Sequence, residues 1–301
     1  MMLAYYSVAA REEFWTEHWG GHSVEEMLAV ARVSPLTPLI TDALPAHGLV
    51  LEAGCGLGQY VLLLRASGWQ AMGVDWSVDA LAACRRVAPA PLAAMQLQAL
   101  ALRDGVAAAY ISLGVVEHDP AGPDAILAEA RRVLAPGGVI VVSVPYVNGV
   151  RRLAAPWLRR QGRRIAEGGG SFYQYAFSRG ELMGALRRHG FTPRAAHPYD
   201  PVRILRGALR SLGLRGQPRR GPIDLHGGPR PGPPSPPIDL HGGLDGPPSP
   251  HALGSAPAEP ERSSVLRGGR SRVRDVVRAV FYTAPVLRLL GHMLLVVAVK
   301  R

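Results

Sequence analysis

The chain has 301 residues, 48% of them hydrophobic, which is enough for the core of one large domain and too apolar for a wholly disordered protein. Its net charge of +11 is uneven: residues 1–150 hold 8 arginines against 14 acids (net −6), and residues 151–301 hold 26 basic residues against 9 acids (net +17). Two cysteines, Cys55 and Cys84, cannot build a disulfide framework and form no C-x-x-C pair for zinc or redox work, so a reducing, cytoplasmic setting is expected.

Arg11-Glu12-Glu13 interrupts the mildly apolar opening residues, so no secretory signal is expected. The apolar stretch Val276–Val299 contains Arg278, Pro285, Arg288 and His292, whereas a membrane span needs about 20 consecutive apolar residues.

Residues 1–46 read as a helical segment, expected on the acceptor side as a lid. Val8, Phe14, Trp15 and Trp19 suggest one helix, Met27, Leu28 and Val30 a second, and Pro35 or Pro38 opens a third. Strands and helices then alternate. Strands are expected at Leu49–Ala53, Gln70–Val74, Pro91–Leu97, Ala107–Leu113 and Val139–Val144, and helices at Tyr60–Ser67, Val78–Val87 and Ile126–Leu134. Pro136-Gly137-Gly138 is expected to stop the last of these helices. A helix at Glu181–His189 and strands near Phe191–His197 and His292–Val299 complete the pattern. Such alternation predicts an α/β layer fold, Rossmann-like and doubly wound, around a mostly parallel sheet.

Residues 201–264 break the pattern. PIDLHGG occurs at Pro222–Gly228 and again at Pro237–Gly243, and PPSP recurs at Pro233–Pro236 and Pro247–Pro250. A basic, Pro/Gly-rich segment of this kind buries too little apolar surface to offset its ordering entropy, so a disordered insertion is expected. Its duplication also accounts for His226 and His241 without a metal. Residues 265–290 then read as an Arg-rich amphipathic helical segment and 291–301 as a terminal strand completing the core sheet of residues 47–200.

The sharpest local signal is the run from Val50 to Gln59, in which a strand enters a loop carrying Gly54, Gly56 and Gly58 and a helix follows. Glycines let a ligand approach the backbone, and the helix start supplies N–H donors. About 20 residues on, the second strand ends at Asp75, an acid placed to accept both hydroxyls of a ribose. A dinucleotide loop wants G-x-G-x-x-G, but position 59 is Gln and the spacing is G-x-G-x-G. Glu52 would oppose a pyrophosphate and suits a cationic ligand. A nicotinamide-dependent oxidoreductase is therefore the poorer fit.

Glu52-x-Gly54-x-Gly56-x-Gly58 and Gly73-Val-Asp75-Trp76-Ser77 resemble the first two motifs of the class I S-adenosylmethionine-dependent methyltransferases. Ser112-Leu-Gly-Val-Val-Glu-His118 resembles the strand-four motif of their type 11 small-molecule branch, and Arg131–Gly138 the approach to strand five. The resemblance covers about residues 48–200 and 291–300. It implies a seven-stranded sheet with one antiparallel strand and S-adenosylmethionine at the carboxyl ends of the strands, leaving as S-adenosylhomocysteine, with no metal expected. It places Glu52 and Gly54 near the methionine moiety, with Cys55 inside the loop as a small packing residue. Gly56 and Gly58 give close backbone approach, Asp75 holds the ribose, Trp76 flanks the adenine, and Leu113 or Gly114 borders the methionine part. Two positions depart from the family pattern. Gln96 or Gln98 stands where an acid usually meets the adenine amino group, though its oxygen still accepts a hydrogen bond. Ala107-Ala108-Ala109 replaces the usual Asp entering strand four.

Methyl transfer from a sulfonium needs alignment above all, and a base only if the acceptor must lose a proton. His118 is the candidate base, or it braces the turn after strand four. Tyr146 lines the acceptor pocket or caps the core. Tyr173, Tyr175 and Phe177 form an acceptor wall or a half-buried strand, and His197 and Tyr199 are weaker candidates. The acceptor class expected is a small or lipid-like molecule, and a non-catalytic binding module of the same fold is the alternative. Ser143-Val-Pro-Tyr146 resembles the box of base-amino methyltransferases but follows the wrong strand, which disfavours that chemistry.

The arginines at 151, 152, 159, 160, 163 and 164 surround Leu153, Trp157, Leu158 and Ile165, and those at 272, 274, 278 and 288 border Val276, Val277, Phe281 and Leu287. Two readings stand: a peripheral membrane contact, or a solvated face in an Arg-rich chain. No RNA-binding module accompanies them, which disfavours nucleic acid.

Overall fold

The computed structural model describes residues 2–7, 19, 21–201 and 281–301. The PIDLHGG repeat, the arginines at 272, 274 and 278 and most of the first expected helix lie outside the described residues.

The chain opens with β1 (Leu3–Ser7), then α1 (Val24–Val33) and α2 (Leu36–Thr41). The strand corrects the all-helical expectation for residues 1–46. Leu3–Ser7 runs antiparallel to Ser171–Ala176 in a two-stranded ribbon, so its backbone groups are paired by a segment far along the chain that local pattern does not reveal. The start of α1 is local chemistry: the Ser23 hydroxyl accepts from the Glu26 amide, and the Glu26 carboxylate accepts from the Ser23 amide.

Then follow β2 (Leu49–Ala53), α3 (Gln59–Ala66), β3 (Gln70–Asp75), α4 (Val78–Val87), β4 (Leu92–Ala94) and β5 (Ala107–Leu113). After a single turn of 3-10 helix at Val116–His118 come α5 (Asp124–Val133) and β6 (Leu134–Pro145). Pro136-Gly137-Gly138 does not stop α5. The helix ends at Val133; Leu134 is already extended and pairs with Ala107, and the Pro-Gly-Gly turn falls inside an irregular start to β6. The third expected strand is only the three residues of β4. The chain continues through α6 (Gly149–Leu153), α7 (Ala155–Glu167), β7 (Ser171–Ala176), α8 (Arg179–Arg188) and β8 (Phe191–Tyr199), and ends with α9 (Ala284–Leu290) and β9 (Met293–Lys300).

The main sheet has seven strands in the order β4-β3-β2-β5-β6-β9-β8, and β9 alone runs against the others. It is the Rossmann-like sheet expected from the alternation. Its strands alternate between two covered faces. Val50, Ile111 and Val141 pack with α1–α4, and Leu51, Tyr110, Ile140 and Val142 pack with α5 and α8. Burial on both faces explains why these strands read as unbroken apolar runs.

The register brings the ends of β2, β3, β5 and β6 to one edge. Ala53 pairs with Val74 and Leu113 with Ser143, so the loops that follow all open on the same side. Polar staples hold that edge. The Arg151 guanidinium donates to the Tyr146 carbonyl at 2.8 Å and the His292 carbonyl at 3.1 Å, tying the end of β6 to the start of β9. Gly73, inside β3, gives the glycine loop room: a Cβ there would lie 2.7 Å from Cys55 Sγ and 2.8 Å from Val61 and Leu92. Gly73→Ala is therefore expected to lower stability by about 1–3 kcal/mol through overpacking. A urea denaturation series reads this as a lower midpoint with unchanged slope, and an unchanged midpoint would contradict it.

Candidate active site

At the carboxyl edge of the sheet a cavity of about 530 Å³ opens between the loops after β2, β3 and β5. That volume lies within the usual small-ligand range of about 300–1,000 Å³. Of the residues expected at the cofactor, Glu52, Gly54, Cys55, Asp75, Trp76, Gln96, Leu113 and Gly114 line it, and so does His118.

Asp75 organises the loop. Its Oδ2 accepts from the Gly56 amide at 2.8 Å and its Oδ1 from the Ser77 amide at 2.9 Å. Burial pushes its carboxyl above the ordinary range, and the amides of Ser77, Gly56 and Trp76 pull the other way. Each oxygen keeps a lone pair that an additional donor can use.

Glu52, one strand over, is 3% exposed, and its Oε2 has no hydrogen-bond partner. Desolvation pushes its carboxyl up to about 8, the Val61 amide at the start of α3 opposing and the Asp75 charge adding. A buried carboxyl with an unpartnered oxygen on a cavity wall is chemically matched to a cation.

Two of the loop glycines are not on the cavity surface. A Cβ at Gly56 would lie 2.5 Å from the Trp19 ring, so this glycine seats an indole that itself lines the cavity. Gly58 opens α3 at φ 71°, and a Cβ there would lie 2.6 Å from Cys84 Sγ. The Cys55 thiol is buried against Gly73, and burial raises its pKa.

On the turn after β5, His118 Nδ1 donates to the Tyr173 carbonyl at 2.8 Å, so in the neutral ring Nε2 is the basic nitrogen. Of the aromatic trio, Tyr173 lines the cavity, Tyr175 donates its hydroxyl to the Pro120 carbonyl at 2.8 Å, and Phe177 is buried in the core. Tyr146 is not brought together with the other expected residues: it lines a second cavity, as does His197.

The sequence reading missed two features. Glu117 carries no distinct signal within the strand-four motif. It is 1% exposed, lines the first cavity, and its Oε2 has no partner. Burial pushes it up to about 8 against the pull of its own amide. Ser143 and Tyr199 share a 2.8 Å hydrogen bond on the cavity wall, although they are 56 positions apart. The acid two residues before Gly54 was legible from the motif. The second buried acid had only its place after β5 to mark it.

The topology and the loop geometry define the class: an α/β fold with a ligand-sized cavity at the strand ends. Residues 51–142 match the family model described as a methyltransferase domain, so this part of the chain carries the class I S-adenosylmethionine-dependent methyltransferase fold that its motifs resemble. S-adenosylmethionine is the cofactor of that family.

Among solved structures, the chain is similar to a SAM dependent methyltransferase from Archaeoglobus fulgidus, with 15% identity, 96% of this chain and 100% of that one covered, and a TM-score of 0.52. It is similar to the PH0226 protein from Pyrococcus horikoshii OT3, with 20% identity, 64% and 95% coverage, and a TM-score of 0.51. A third is the geranyl diphosphate C-methyltransferase from Streptomyces coelicolor A3(2), solved with Mg2+, geranyl diphosphate and S-adenosyl-L-homocysteine, with 14% identity, 99% and 92% coverage, and a TM-score of 0.50. At these identities the likeness establishes the fold. No curated protein sequence matches the chain. Among the described residues no group of three or more His, Cys, Asp and Glu is placed to hold a metal, and no helix is long and apolar enough to cross a membrane.

The two buried glutamates make stability depend on pH. Their folded-state values of about 8 lie above the ordinary 4.5, so the fold favours their protonated forms. That contribution is complete below about 4.5 and is lost as pH rises through about 8. Glu117→Gln is expected to gain stability relative to the parent between about pH 5 and about pH 9. Urea midpoints at the two pH values test this, and a constant difference would count against it.

Proposed function

We propose that this chain transfers the methyl group of S-adenosylmethionine to a small-molecule or lipid-like acceptor. The observation that carries the reading is the pair of buried carboxyls, Glu52 and Asp75, on one 530 Å³ cavity at the strand ends. The cofactor supplies a methyl group on a positively charged sulfur, already bound to a good leaving group. The protein has to bind it, aim it and keep water out.

On this reading Asp75 holds the ribose hydroxyls with the lone pairs that Gly56 and Ser77 leave. Glu52 faces the cationic methionine end, where an opposite charge draws its proton off. Gly54, Leu113 and Gly114 border the methionine part. Trp76, 45% exposed at the rim, lies against the adenine, and Gln96 meets its amino group. Gly56 and Gly58 act one step back by seating Trp19 and starting α3. His118 is the group on the acceptor side that can take a proton if the acceptor must lose one, while Glu117, held protonated by burial, can donate a hydrogen bond there.

Asp75→Ala is expected to weaken S-adenosylhomocysteine binding at least tenfold, measured by calorimetry, with the circular dichroism spectrum unchanged. Glu52→Gln is expected to weaken it and to remove the proton release that the parent is expected to show on binding below about pH 8. Unaltered affinity in the folded Asp75 variant would remove the site assignment. Turnover separates the enzyme from a non-catalytic module: labelled methyl groups should move to an acceptor in a cell extract.

A specific surface supports the lipid-like end of the acceptor range. Leu153 is 83% exposed and Trp157 60%, and the arginines at 159, 160, 163 and 164 on α7 are exposed beside them. Apolar side chains ringed by guanidinium groups suit an anionic membrane surface. Leu153→Ala with Trp157→Ala is expected to reduce cosedimentation with anionic vesicles several-fold while leaving S-adenosylhomocysteine affinity intact. Equal sedimentation of variant and parent would return these arginines to ordinary solvated surface.

A further inference from the structure

A second cavity, of about 710 Å³, adjoins the first along Tyr199, which lines both. Its floor is apolar, built from residues such as Pro35, Leu39, Val147 and Leu287. Among its described lining residues the arginines are Arg152, Arg179 and Arg288, brought there by α6, α8 and α9, and none is an acid.

Among the described arginines left without a partner, these three are the ones that line a cavity. Arg132 is bound by Glu129 and Asp104, and Arg151 by backbone carbonyls and His292. The guanidinium groups of Arg152, Arg179 and Arg288 have no hydrogen bond or ion pair among the described residues. Arg179 stands in the first turn of α8, where the helix dipole disfavours a cation. Three like charges around one concavity repel one another, and an anion entering among them relieves that repulsion and makes charge-assisted, bidentate hydrogen bonds. The apolar floor adds a demand for burial that a bare ion does not satisfy.

We infer that this second cavity is a binding site for an amphipathic anion, an apolar body bearing a phosphate or carboxylate group. The inference goes beyond the methyl-transfer reading and does not need it, because the arginines and the floor lie outside the first cavity. The anion has two sources, a soluble amphiphile or a lipid headgroup.

The test titrates the full-length protein with hexyl phosphate, inorganic phosphate and 1-hexanol, and in parallel with S-adenosylhomocysteine. Hexyl phosphate is expected to bind saturably, at least tenfold more tightly than either fragment. The combined variant R152Q/R179Q/R288Q is expected to lose at least tenfold of that affinity, and R288Q alone about threefold. The variants' S-adenosylhomocysteine affinity is expected to be unchanged, which shows that they remain folded. R86Q/R103Q, which removes two exposed arginines elsewhere, is expected to bind hexyl phosphate as the parent does. Absence of saturable binding, equal binding of 1-hexanol, retention by the triple variant, or an equal loss in R86Q/R103Q would each overturn the inference. Competition from phosphatidic acid vesicles would identify the source as a lipid headgroup, and its absence a soluble amphiphile; either result upholds the site. If S-adenosylhomocysteine fails to bind the parent while hexyl phosphate binds, the methyl-transfer reading falls and the second site stands.

Discussion

One buried carboxylate holds the business edge of this protein together. Asp75 ends β3, and its two oxygens accept from amides on either side: Gly56 in the loop after β2, and Ser77 at the start of α4. Gly54 and Cys55 add amide bonds to the Val74 carbonyl at 2.8 and 3.1 Å, so the glycine loop is clamped to its neighbour strand by backbone and side chain together. A carboxylate accepting amide hydrogens in a low-dielectric site is a strong and directional tie. The position of Glu52, the seat of Trp19 and the start of α3 all follow from where that clamp puts the loop.

The same edge carries polar groups that the fold itself does not satisfy. Glu52 and Glu117 each bury a carboxyl with an unpartnered oxygen on the wall of one cavity. A fold selected for stability alone would not keep both, since an unsatisfied buried polar group costs about 1–3 kcal/mol. Burial lifts both to about 8, so near neutrality they are held as neutral acids. A cation entering such a site would draw a proton off, which would couple ligand charge to the protonation of the protein. Tyr199 and Ser143 share one wall, and among the described residues Tyr199 is the one that lines both cavities.

The arginines illustrate why composition is a poor guide to role. Read along the chain, those in the second half form one basic tract. In the folded protein they separate: Arg151 staples β6 to β9, Arg188 lies 3.4 Å from Asp124, Arg152 faces the second cavity, and those of α7 stand in solvent. Neighbours such as Arg151 and Arg152 diverge because successive helical positions point about 100° apart.

Local chemistry in the sequence was sufficient for much of this protein. β2, α4 and β5 begin and end where their apolar runs do, and the glycine spacing with Asp75 and Glu52 marks the ligand edge, because each signal lies within one element and the turn beside it. The early start of β6 and the strand at Leu3–Ser7 needed pairing partners elsewhere in the chain. The same holds for the cavity residues. Glu117, Ser143 and Tyr199 become one wall only when β5, β6, β9 and β8 are laid in that order. Tyr146 is carried to the second cavity by the short step between the end of β6 and α6. Sequence alone determined the element pattern and the chemistry of the glycine loop. Tertiary structure alone decided which distant side chains share a cavity, because strand order and register are set by the packing of the whole sheet rather than by any one segment.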